Sequence, residues 1–94
     1  MHIGLLTLYL HFPGSFSLKD KRSRVKPLLS RLHREFNVSA SEIDMCNSRN
    51  ESVIACVVVS NDPIHSQQFL QNIIFWLENS WLDVEMIDSK IESR

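Results

Sequence analysis

The sequence predicts an α+β domain laid out as strand, helix, strand, strand, helix, strand. Three observations carry that expectation. Apolar residues alternate along His2 to Phe12, and they recur at spacings of three and four along 18–36 and 63–79. Val and Ile crowd the run Ser52 to Ser60. Alternation is the signature of a strand, and spacing by three and four that of a helix with one buried face.

In the first strand, Leu6, Leu8, Leu10 and Phe12 share one face, while Ile3, Leu5, Thr7, Tyr9 and His11 share the other. The first set is wholly apolar and is expected to meet the core. Apolar residues on both sides predict a central strand. Pro13-Gly14-Ser15 ends it. Ser17 and Asp20 then stand in the relation of a helix cap, and Val25, Leu28, Leu29, Leu32 and Phe36 continue at helical spacing, predicting a helix over 18–36. Pro27 cannot donate to the carbonyl of Ser23, so a kink or loosely wound first turns are expected. Val38 to Asn47 reads as a strand of modest propensity, and Asn47-Ser48-Arg49-Asn50 as a tight turn into the β-branched run, giving an antiparallel hairpin. Asn61-Asp62-Pro63 opens a second helix, and Leu82 to Glu92 closes the chain as a strand.

Right-handed crossovers fold that order into a ferredoxin-like βαββαβ sandwich. It is a single domain over 1–94, a four-stranded antiparallel sheet with two helices on one face. Its first and third strands are expected side by side in the centre, in keeping with their two-sided apolar character.

Composition narrows the function classes. With 44% hydrophobic and 22% charged residues and a net charge of −1, the chain is an ordinary globular protein and not a general polycation. Two cysteines, Cys46 and Cys56, fit reduced thiols and a cytoplasmic location. The apolar run Ile3 to Leu10 is too short to span a bilayer, so no membrane association is expected. His2 and His11 face opposite ways on one strand, and no H-x-x-x-H or C-x-x-C spacing occurs, so neither metal nor cofactor is expected. By alternation Asp83 and Glu85 share one face of the last strand and Asp88 the other, as solvated edge charges.

The charge is unevenly placed. Lys19, Lys21, Arg22, Arg24, Lys26, Arg31 and Arg34 are seven of ten basic residues, and Asp20 is the one acid among them. Lys19, Arg24, Lys26, Arg31 and Arg34 lie opposite the apolar stripe, a candidate contact for phosphates or for an acidic protein. Lys21 falls within the stripe and Arg22 at its edge. They either overhang the sheet and snorkel to water or frame an anion site at the helix start with Gly14-Ser15-Phe16-Ser17. The uncovered sheet face, with Ile3, Leu5, Tyr9 and His11, is a candidate protein interface, a homodimer included. With Tyr9 as its one aromatic, it does not suit base stacking. Ile64 and Phe75 share the outer side of the second helix as isolated exposed apolar residues.

The segments Ser17-Leu18-Lys19-Asp20-Lys21-Arg22, Phe36-Asn37-Val38-Ser39 and Val59-Ser60-Asn61-Asp62 resemble the YlxP-like family of small bacterial proteins. The resemblance spans nearly the whole chain. It implies a ferredoxin-like fold without an established biochemical function. It also implies, by the family's gene neighbours in transcription and translation initiation, work near RNA or the ribosome. Pro27 and a hairpin tip without glycine or aromatic residues depart from the family's pattern. The expected function is therefore a non-enzymatic binding module contacting RNA or the ribosome through the basic helix. The alternatives are a protein-interaction subunit using the open sheet and a small-molecule or phosphoryl enzyme using the 14–22 loop.

Overall fold

The computed structural model describes all residues from Met1 to Arg94. Its elements are β1 (His2–His11), α1 (Leu18–Glu35), β2 (Ser39–Asp44), β3 (Glu51–Ser60), α2 (Pro63–Ser80) and β4 (Glu85–Ser93). The strands form one antiparallel sheet in the order β2-β3-β1-β4, with β1 and β3 central as their composition requires.

One core forms between the sheet and both helices. Leu6, Leu8, Leu10 and Phe12 pack with Val25, Leu28 and Leu32 of α1, Leu70, Ile73 and Leu77 of α2, and Ile54 and Cys56 of β3. Both helices therefore cover the same face. α2 comes close because Gly4 carries no side chain. A Cβ there would lie 3.0 Å from Leu70 Cδ1 and 3.1 Å from Val58 Cγ1.

Ser17 Oγ accepts from Asp20 N at 3.0 Å, and Lys21 N donates to Ser17 O at 3.0 Å, so α1 starts as a regular, capped turn. The helix then runs unbroken through Pro27, and no loosening of its first turns is seen. Pro27 and Ser23 are both exposed, so water can serve the carbonyl left without a donor. Pro27→Ala is expected to restore that hydrogen bond and raise stability by about 1–3 kcal/mol. An increased urea midpoint at constant slope would show it, and an unchanged or lower midpoint would contradict it.

The extent of two strands and one register differ from the sequence reading: β2 ends at Asp44, short of the expected Asn47. β4 begins at Glu85, leaving Leu82 and Asp83 in the preceding turn. The register of β4 on β1 also slips between Tyr9 and Leu10: Tyr9 pairs with Asp88, Leu10 with Met86 and His11 with Glu85. Ile87 is the extra residue of this bulge. Glu85 and Asp88 thus share the open face, where strict alternation would separate them.

Candidate nucleic-acid interface

The seven cations of α1 separate into distinct groups. Lys21 is fully buried. Its Nζ donates to Met45 O at 2.8 Å, Glu42 Oε2 at 3.0 Å and Glu51 O at 3.1 Å, with Cys46 O further off at 3.4 Å. Ser52 Oγ donates to the same Glu42 oxygen at 2.6 Å. Both sequence expectations for Lys21 are therefore corrected. It neither reaches solvent nor frames an anion site. An ammonium has three protons, and the three nearest acceptors are oxygens of the β2–β3 hairpin.

The cage has a local cause. The hairpin tip lacks glycine, and Met45 adopts a left-handed φ of 58°. Its carbonyl turns inward, where the first turn of α1 delivers Lys21. Asp44 Oδ1 accepts from Met45 N at 2.7 Å and fixes the other side of the turn.

Arg24 and Arg31 are also held by the fold. Arg24 donates to Pro13 O at 2.7 Å, across a loop in which Gly14 takes a φ of 77°. Ser15 is buried and donates to Arg49 O at 2.6 Å. The polar groups of the 14–22 loop are thus largely turned to internal bonds. Arg31 lies 5.7 Å from the Trp81 ring centroid and 6.0 Å from that of Trp76, and its Nε is 3.4 Å from Glu35 Oε1. That Nε makes no hydrogen bond. The guanidinium rests on an aromatic seam continued by Phe36 and Phe69.

Lys19, Arg22, Lys26 and Arg34 remain exposed. At 100° per residue, the first three fall within about 60° of one another over about 10 Å of helix. They line one groove of about 400 Å³ together with Ser23, Val25, Leu29 and Glu42. Glu42 is the single acid of that groove, and Lys21 and Ser52 already occupy its Oε2. The groove therefore presents a row of cations over a partly apolar floor.

On the opposite side of the molecule no helix covers the sheet, although Thr7 and Val53 at its centre are buried by their neighbours. Ile3, Leu5, Thr7 and Tyr9 stand directly beside Val59, Val57, Ala55 and Val53, in that order. His11, read as part of this interface, lies at its end, with Nδ1 2.7 Å from Glu85 Oε1.

The profile of a family described as protein of unknown function (DUF503) matches residues 3–91. The chain belongs to this family. It is also similar to the uncharacterized protein YlxP of Bacillus subtilis (strain 168), with 29% identity over 76 residues, 81% of this chain and 82% of that protein. The DUF503 match thus covers both the helix bearing the cations and the hairpin that holds Lys21.

Reactive groups are scattered in this DUF503 chain. Cys56 is buried in the core, and burial pushes its thiol up to about 12, which removes it as a nucleophile near neutral pH. Cys46 is exposed at the hairpin tip. His33 Nε2 accepts from Ala40 N at 3.1 Å, capping the start of β2. No group of three or more His, Cys, Asp or Glu side chains is placed to hold a metal ion. No helix is long and apolar enough to cross a membrane.

Proposed function

We propose that this chain is a non-catalytic binding module that holds the phosphate backbone of RNA along the Lys19–Arg22–Lys26 flank of α1. The observation that carries this reading is the sorting of cations. The fold holds Lys21, Arg24 and Arg31 in internal contacts, yet leaves three in a row on one groove whose only acid is already bound. Cations of this kind recognise a polyanion without reading its sequence, because each contact exchanges a condensed counterion for a fixed charge. Leu29, half-buried on the groove floor, gives an unpaired base or a ribose something apolar to lie against.

Salt dependence tests it directly. Three phosphate contacts on single-stranded RNA correspond to a slope of about −2 in log affinity against log salt, so going from 50 to 200 mM lowers affinity about 20-fold. The variant Lys19→Ala/Arg22→Ala/Lys26→Ala is expected to lose most of the binding and most of the slope. Its circular dichroism should be unchanged, since all three side chains are exposed. Fluorescence anisotropy with a labelled single strand measures both. Affinity indifferent to salt, or to the triple substitution, refutes the reading. Capture of a protein partner through the same flank that survives nuclease treatment would replace RNA with an acidic protein surface.

A further inference from the structure

We propose that the depression in the open face of the sheet, beside the tip of the β2–β3 hairpin, binds a basic peptide segment of a partner protein through two arginine side chains. This inference is independent of the RNA reading, because it uses the side of the molecule away from α1.

Shape and composition are the first argument. One row of paired residues crosses all four strands: Asp44 of β2, Val53 of β3, Tyr9 of β1 and Asp88 of β4. The β4 bulge is what turns Asp88 to this face. Val53 is buried and forms the floor, while Tyr9, Met45 and Ile87 stand around it as exposed large apolar side chains. They bound a depression of about 400 Å³, within the range of about 300–1,000 Å³ typical of ligand sites. Its charged groups are Asp44, Asp88 and Glu51, and no Lys, Arg or His lines it.

Charge is the second argument, and it selects the occupant. None of the three carboxylates forms an ion pair within the chain. Asp44 and Asp88 each lend one oxygen to the amide of the next residue, at 2.7 and 2.8 Å, which leaves the other for a ligand. The basic residues of the adjacent rows are committed elsewhere: His11 lies 2.7 Å from Glu85, and Lys90 3.6 Å from Glu92. Three unpaired anions around an apolar floor repel nucleic acid. They attract a cationic head on an apolar stem, which describes a long basic side chain. Asp44 and Asp88 stand three strand spacings apart, about 14 Å, so one head group does not reach both and two side chains of one segment do. Arginine suits the site better than lysine. Its flat, weakly hydrated guanidinium lies on the Tyr9 ring while its edge donates to a carboxylate, whereas an ammonium holds its water.

Fluorescence anisotropy with a labelled decapeptide of alternating arginine and alanine tests this arrangement, against lysine and glutamate versions of the same peptide. At low salt the arginine peptide is expected to bind at least about tenfold tighter than the glutamate peptide and about threefold tighter than the lysine peptide. Asp44→Asn/Asp88→Asn is expected to weaken it about tenfold. Asparagine retains the acceptor that the Met45 and Ser89 amides use, so the fold is kept. Glu51→Gln, which touches neither of those bonds, should weaken binding in the same direction. Tyr9→Leu should remove the preference for arginine over lysine. Lys19→Ala/Arg22→Ala/Lys26→Ala, expected to lose RNA, should hold the peptide as the wild type does. An arginine peptide bound no tighter than the glutamate or the lysine peptide overturns the proposal, as does binding indifferent to both Asp44→Asn/Asp88→Asn and Glu51→Gln. Self-association of the protein that Asp44→Asn/Asp88→Asn abolishes would seat a second copy's α1 cations in the depression and overturn it as well.

Discussion

Replacing Lys21 with methionine is expected to destabilise the protein by about 3–5 kcal/mol, the usual cost of removing one partner from a buried ion pair. The stem of methionine fills similar space, so lost packing contributes little. What changes is the cage. Glu42 keeps only the hydroxyl of Ser52, the carbonyl of Met45 keeps only the amide of Ser48, and the carbonyl of Glu51 loses the ammonium. A domain of this size has only about 5–15 kcal/mol in total, so the variant should show a much lower urea midpoint and near-marginal folding at 37 °C. Lys19→Met, on the exposed flank two residues away, should shift stability by no more than about 0.5 kcal/mol. Combining Lys21→Met with Glu42→Leu should recover part of the loss, since no unpaired charge then remains inside. A Lys21→Met variant within about 1 kcal/mol of wild type would show that water enters the cage and solvates it.

Phe12→Ala is the second large effect expected, also about 3–5 kcal/mol. Phe12 is completely buried although it lies one residue beyond the end of β1. Its amide donates to Asn50 O at 2.7 Å, and its carbonyl accepts from Ser15 N at 3.3 Å. These bonds fix the backbone that carries the ring into the core and leave the surroundings little freedom to collapse into the space it vacates. Phe12→Leu should lose about 1–2 kcal/mol, because much of the volume is kept. Thermal unfolding of both variants measures the difference. Equal losses for the two would mean that backbone placement matters at this position and ring volume does not.

The fold was legible because its information is local. Alternation in β1, the stripe from Val25 to Leu32 and the Val-rich β3 each declare one element and its buried side. A six-element order with short connections then leaves few topologies. The candidate site was only partly legible, and the reason is visible in particular residues. On a helical wheel Lys21 lies among apolar positions, but its acceptors are 21 to 30 residues away, in a turn whose left-handed Met45 has no sequence signature. Arg24 and Arg31 look as free as Lys19 and Lys26 until a loop carbonyl and two indole rings arrive from elsewhere in the chain. The side of Asp88 turned on a single bulge residue, and strict alternation has no means of marking a bulge. The row of Lys19, Arg22 and Lys26 could be counted from sequence. What could not be counted was which of their neighbours the fold had already taken.

The oxygen cage around Lys21 also bears on the order of events when the chain opens. A hairpin formed alone would hold a partly buried carboxylate and inward-turned carbonyls with no cation among them, and a first helical turn formed alone would carry an ammonium with nowhere dry to go. Each half is costly without the other, so the tip of the hairpin and the start of the helix are expected to open as a single cooperative unit, with their amide protons exchanging at a common rate in hydrogen-exchange measurements.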